Sequence, residues 1–223
     1  CAQVVEGPEG PAAVDAGMTD GAAGAGVDEP SGSGTGGRVV VVGGTGGQGI
    51  IVTRNAYHGT TAAVAEISPS LGANNRIPAS VALVDAPDSV RGPGGDAAVV
   101  QWVREIERAI AGVAEQGIPF AGMIVDSVLS SDGLRLDPAG FLARAAETVR
   151  AAGGLYIADE VQPGFGRTGD WWGFTRHGFV PDLVVLGKPM GNGVPISAVV
   201  GTRELLDAFG QSTRYFNTFA GNP

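Results

Sequence analysis

Two short apolar runs are separated by a single helical pattern in the middle of this chain. The first is Phe120-Ala121-Gly122-Met123-Ile124-Val125, the second Leu155-Tyr156-Ile157-Ala158. Between them, Asp137-Pro138 marks a helix start. Phe141, Leu142, Ala145, Ala146 and Val149 share one helical face, and Gly153-Gly154 ends the pattern. Strands joined this way cannot close as a hairpin. The helix crosses over the sheet, so the strands run parallel with helices on the sheet faces. The sequence therefore predicts an α/β fold, a three-layer αβα arrangement around a mostly parallel sheet.

The rest of the chain extends that pattern. Strand-like runs occupy residues 39–42, 50–54, 81–86, 183–186 and 196–200, with a loop expected over 87–95. Residues 96–116 read as an amphipathic helix: Val99, Trp102, Val103, Ile106, Ala109, Ile110 and Val113 fall on one face, and Gly117 ends it. Trp102 belongs to that core-facing stripe. A short helix is expected over 202–209, with Thr202 as its cap.

Glycine is unevenly spread. The chain has 38, crowded before residue 50, where an average domain is about 7% glycine. Residues 1–37, rich in Gly, Ala, Pro and acids, read as a flexible low-complexity segment, and 38–223 as the folded part. Gly44-Thr45-Gly46-Gly47-Gln48-Gly49 matches the dinucleotide-binding pattern in letters, as does the stretch from Gly32 to Gly37. A β-branched run, Ile50-Ile51-Val52-Thr53, follows the first match where a pyrophosphate site needs a helix. A turn between two strands is the better reading, with a nucleotide-binding oxidoreductase as the remote alternative.

Composition narrows the class further. A net charge of −9 argues against a nucleic-acid binder, and no apolar run approaches the ~18 residues of a membrane helix. The N-terminus shows no basic region followed by an apolar one. Cys1 is the only cysteine, which leaves no disulfide framework and no thiolate metal site. A cytoplasmic location and no metal are the resulting expectations.

The chemistry-bearing residues fall at strand ends. The run 155–158 stops at Asp159-Glu160 and the run 183–186 stops at Gly187-Lys188. Parallel sheets bind ligands beyond the carboxyl ends of their strands. An acid and a lysine placed there suit pyridoxal phosphate (PLP) chemistry, in which the lysine forms a Schiff base and the acid keeps the pyridine nitrogen protonated. The same pair is also what a structural ion pair looks like. Tyr57-His58-Gly59 follows the strand at 50–54. It fits either an aromatic face over a flat ligand or a surface turn with a solvated histidine.

Four segments together resemble one family. Ala158-Asp159-Glu160-Val161-Gln162 with Gly164-Phe165-Gly166-Arg167-Thr168-Gly169, then Gly187-Lys188-Pro189-Met190-Gly191-Asn192-Gly193, resemble the class III aminotransferases. Tyr57-His58-Gly59 and Asn217-Thr218-Phe219-Ala220-Gly221-Asn222-Pro223 match two more of that family's segments, in the same order. The resemblance implies the PLP-binding large domain of fold type I, here incomplete. Lys188 would carry the cofactor and Asp159 would face its pyridine nitrogen. Val161 and Tyr57 would lie on the two ring faces and Gln162 near the 3-hydroxyl. Glu160, His58 and Gly59 would support the site, and Thr218 would reach the phosphate of a neighbouring subunit's cofactor, which implies a homodimer.

The chain also departs from that family. It is about half the family's expected length, and the smaller C-terminal domain is expected to be absent from it. Ser31-Gly32-Ser33-Gly34-Thr35 is the nearest stretch to the family's phosphate cup, so Ser33 and Gly34 are the candidate phosphate contacts, without the Glu, Ala and Asn that usually follow. Val194 stands where similar sequences carry histidine. The implied activity is transfer of an amino group from an amino acid or amine to an oxo acid. The alternatives are a phospho-lyase acting on an amino-alcohol phosphate and a non-catalytic truncated homologue.

Overall fold

The computed structural model describes residues 2–6, 45–88, 91–194 and 196–212. Seven strands form one sheet: β1 (Ala2–Glu6), β2 (Gly49–Thr53), β3 (Val81–Val84), β4 (Phe120–Asp126), β5 (Leu155–Asp159), β6 (Leu183–Leu186) and β7 (Ser197–Gly201). Their order is β1-β7-β6-β5-β4-β2-β3. All neighbours are parallel except β6 and β7, which run antiparallel. The helices are α1 (Ala62–Ala65), α2 (Gly95–Glu115), α3 (Phe141–Ala151) and α4 (Arg203–Ser212).

The central strands are apolar on both faces because both faces are covered. On one face, Ile51, Met123, Val125 and Tyr156 pack against Trp102 and Ile106 of α2 and Phe141, Leu142 and Val149 of α3. On the other, Ile50, Val52, Ile124, Ile157 and Leu183 pack against Val64 of α1 and Phe209 of α4. This is the expected three-layer arrangement, and Trp102 is core, 2% exposed. Among the described residues no helix is long and apolar enough to cross a membrane.

Two features differ from the sequence reading. The helix expected from Pro138 starts at Phe141, because Gly140 has φ +88°, a left-handed conformation outside the helical range. Asp137, just upstream, is held in an ion pair with Arg176 at 2.8 Å. Ala2–Glu6 lies inside the segment read as flexible, yet it pairs in parallel with β7, from Ala2↔Ser197 to Glu6↔Gly201. A free sheet edge supplies backbone partners whatever the composition of the strand that meets it. The strand expected at 39–42 and the glycine pattern from Gly32 to Gly37 lie outside the described residues.

The glycine-rich turn before β2 also finds its explanation. The amides of Gln48 and Gly49 both donate to the Pro119 carbonyl at 2.9 Å, and a Cβ on Gly47 would fall on the Phe120 carbonyl oxygen. These glycines let the turn press against the start of β4, and a strand follows them, so no helix N-terminus is present to hold a pyrophosphate.

Candidate active site

β2 and β3 extend the sheet to one side, while β4, β5 and β6 extend it to the other. The order reverses between β2 and β4, the kind of switch point at which open α/β sheets bind ligands beyond the carboxyl ends of their strands. The chain leaves β2 into Tyr57 and His58, β4 into Asp126, β5 into Asp159 and β6 into Lys188. Residues from separate parts of the sequence thus meet along one edge.

Asp159 is 5% exposed. Its Oδ2 lies 2.6 Å from Nδ1 of His58, which requires the N–H of that ring nitrogen to point at the carboxylate. Its Oδ1 accepts the Val161 amide at 3.0 Å. The histidine side chain is 2% exposed, so the solvated alternative for His58 does not hold. Among the described residues, Nε2 of His58 has no hydrogen-bond partner. Tyr57, one position earlier, is half exposed at 50%. Gly59 has φ +134°, and a Cβ there would sit 3.1 Å from Val64, so a residue with a side chain would both strain the turn and crowd α1.

Lys188 follows β6 at φ +30°, a left-handed conformation uncommon for a residue with a side chain. Its amine donates to the side-chain carbonyl of Gln162. Among the described residues Lys188 forms no ion pair, so its amine is not committed to a carboxylate. Val161, whose amide bonds the acid, has its methyls 3.5 and 3.7 Å from where a Cβ on Gly187, the residue before the lysine, would sit.

Glu160 is completely buried, and both its oxygens accept backbone amides, from Gly173 at 2.8 Å and Phe174 at 3.0 Å. Burial pushes its pKa above the usual carboxylate value, opposed by those amide bonds. Asp126 is in register with Asp159 on the neighbouring strand. Burial raises its pKa too; bonds from Ser130 and the Val128 amide oppose this, and the Asp159 charge adds to it. Thr218, Ser33 and Gly34 lie outside the described residues. Sequence reasoning passed over Asp126, and also Asp132, which accepts bonds from Thr53 and Asn55. A carboxylate directly after the apolar run 120–125 was the available signal for the first.

These residues fit PLP. A buried carboxylate backed by a histidine and a primary amine outside any ion pair among the described residues stand at adjacent strand ends, with the β-branched Val161 bonded to the acid through its amide and packed beside Gly187. That donor set suits a pyridine nitrogen at one end and an aldehyde at the other.

The mostly parallel α/β sheet is that of the PLP-dependent enzymes of fold type I, and comparison with known proteins specifies it further. The sequence profile of the family "Aminotransferase class-III" matches residues 38–223. The chain belongs to the class III aminotransferase family, whose cofactor is PLP. It is 40% identical over 179 residues to alanine–glyoxylate aminotransferase 2 homolog 2, mitochondrial, of Arabidopsis thaliana, covering 80% of this chain and 37% of the relative. It is 36% identical over 191 residues to ethanolamine-phosphate phospho-lyase homolog 1 of Caenorhabditis elegans, covering 78% of this chain and 41% of the relative. Among solved structures, a phospholyase from Arthrobacter in complex with phosphoethanolamine aligns at a TM-score of 0.77 and 41% identity, over 82% of this chain and 44% of that one. A PLP-bound amine transaminase from an uncultivated Pseudomonas species aligns at 0.71 and 28% identity, over 82% and 44%. The chain thus spans well under half the length of these relatives.

Proposed function

We propose that this chain is the large-domain part of a PLP-dependent aminotransferase that moves an amino group from an amino acid or amine to an oxo acid. The observation that carries this reading is the pairing of Asp159 and Lys188 at the ends of the adjacent strands β5 and β6, with the lysine amine on a neutral carbonyl. PLP, when bound, supplies an aldehyde and an electron-accepting ring. Lys188 would hold the aldehyde end of the cofactor through its amine and, once the substrate amine displaces it, would carry a proton to and from the substrate carbon. Asp159 would face the pyridine nitrogen and keep it protonated, and His58 orients Asp159 through its contact with one carboxylate oxygen. Val161 and Tyr57 would cover the two faces of the ring, and Gln162 would stand by its 3-hydroxyl. Glu160 and Gly59 shape the backbone around them. In the same reading Ser33 and Gly34 would contact the phosphate and Thr218 would reach the phosphate in a neighbouring subunit, which makes a homodimer the proposed working form.

A second reading is elimination of phosphate from an amino-alcohol phosphate. The similarity to two phospho-lyases, one of them in complex with phosphoethanolamine, favours it. The same lysine and acid serve both reactions, because each starts by removing a proton next to the amino group. A reducing compartment fits the single cysteine. The cytoplasm is one such place, and the relative from Arabidopsis is named as mitochondrial.

Two measurements test these readings. PLP added to the chain is expected to give an absorbance band that Lys188→Ala lacks. A wild-type chain without a lysine-dependent band overturns both PLP readings for this chain and leaves the non-catalytic one. Phosphoethanolamine without any oxo acid is then expected to release neither phosphate nor ammonia. Release of both in that assay replaces the transaminase with the lyase.

A further inference from the structure

Tyr57 and His58 sit on a turn, residues 54–60, between β2 and α1. A turn has few backbone bonds of its own, so something else must hold it. The Ala56 amide reaches the Thr53 carbonyl at 3.0 Å, and the Ser70 amide reaches the Ala56 carbonyl at 3.2 Å. The Arg54 amide reaches the Val84 carbonyl at 2.8 Å, the Arg54 side chain pairs with Asp85 at 2.7 Å, and His58 meets Asp159. Two further side chains, Ser68 and Asp132, bond the segment's backbone and its flank at opposite ends. Ser68 accepts the His58 amide at 2.9 Å and donates to the Val64 carbonyl at 2.8 Å. At the other end, Asp132 takes the Thr53 hydroxyl on Oδ2 at 2.6 Å and the Asn55 amide on Oδ1 at 3.2 Å.

Asp132 comes from the loop between β4 and α3, and that loop is itself firmly held. Asp126 accepts the amides of Val128 and Ser130 at 3.0 Å each. The Asp132 amide donates to the Leu129 carbonyl at 3.0 Å. Arg135 grips both Asp88 oxygens at 2.9 and 3.1 Å while its Nε donates to the Asp132 carbonyl at 3.3 Å. Asp132 is therefore a fixed post rather than a passing surface acid. Thr53, its main partner, is 2% exposed.

We propose that Asp132 is a positioning residue of the active site. Its carboxylate anchors the start of the 54–60 turn, so that Tyr57 stays over the cofactor ring and His58 stays on Asp159. This rests on the PLP reading above. Aspartate suits the task because it offers two acceptor oxygens to two donors that lie two residues apart. Asparagine offers one and sets an N–H against the other donor.

The test uses the full chain with four variants. In the apo chain, hydrogen exchange of the amides at positions 55–58 is expected to quicken at least about tenfold in Asp132→Ala, with β4 protection less affected. Thr53→Val, a milder change that removes one donor, is expected to give part of the effect, and Thr53→Ser to restore protection. With PLP, Asp132→Ala is expected to weaken cofactor affinity by about tenfold and to reduce the circular dichroism of the bound band, with Asp132→Asn intermediate. A protein that merely loses a staple would melt earlier without either change. Exchange at 55–58 within twofold of wild type in both Asp132→Ala and Thr53→Val overturns the proposal. So does unchanged cofactor affinity and dichroism in Asp132→Ala. If wild type forms no lysine-dependent band, the function reading falls, while the apo exchange still decides whether Asp132 holds the turn.

Discussion

His177 closes the short 3-10 turn at Gly173–His177 and is 3% exposed. Its ring meets Phe141 of α3 edge-on, with centroids 4.7 Å apart at 89°. Burial pushes its pKa down to about 4, and the neighbouring Arg176 charge adds to this. The folded state thus refuses a proton that the unfolded chain accepts below about pH 6.5. Stability contributed by a neutral His177 is complete above that value and is lost as pH falls toward 4, at a limit of about 1.4 kcal/mol per pH unit. Asp126 and Glu160, whose pKa values are raised, act in the opposite sense: their protonated folded forms lose stability as pH rises. His177→Phe keeps an aromatic ring against Phe141 and leaves those acids in place. In urea denaturation at several pH values, the variant is expected to gain on wild type progressively from pH 6.5 down to 4. A difference that stays constant over that range defeats the argument.

At the scale of elements, the connection between β5 and β6 depends on Glu160. Its two oxygens reach forward to the amides of Gly173 and Phe174 and close the intervening excursion. Its own amide donates to the Val185 carbonyl of β6 at 2.9 Å, and its carbonyl accepts the Gly164 amide at 3.0 Å. The closed excursion carries Gln162, the partner of the Lys188 amine. Removing the carboxylate leaves two buried amides without acceptors, which costs about 2 kcal/mol when each is charged at the lower end of such penalties. Glu160→Gln keeps one acceptor and removes a charge that burial disfavours, so its cost is expected below about 1.5 kcal/mol. Glu160→Ala is expected to be the less stable of the two by chemical denaturation. The reverse order would show that the loop closes without these bonds.

For the whole molecule, the site is assembled from segments that meet only when the sheet is complete. Anything that binds the assembled edge stabilises the fold by mass action. PLP at about a hundred times its dissociation constant is expected to add about 2.7 kcal/mol and to raise the melting temperature, with a smaller rise in Lys188→Ala. A thermal shift series with PLP checks this, and no rise at saturating cofactor would mean that the folded edge does not bind it.

Much of this was legible in the sequence because its signals are local. The helix over 95–115 is written in apolar residues at helical spacing, and the crossover from β4 through α3 to β5 in two apolar runs and the pattern between them. Asp159 and Lys188 stood out because a polar residue at the end of a buried strand breaks the pattern that put the strand in the core. Other features were not written locally. Whether His58 was solvated or buried depended on Asp159, 101 residues away, and the hold of Asp132 on Thr53 spans 79 residues. The start of α3 turned on the backbone of Gly140, and Ala2–Glu6 became a strand because β7 offered an edge. By itself, then, the sequence determined the α/β class, the strand-end acid and lysine, and the family, since each depends on residue type at short spacing. Only the tertiary structure decided which carboxylate His58 meets, which loop holds its turn and where Glu160 points. Those contacts follow from strand order, which brings distant segments to one sheet edge.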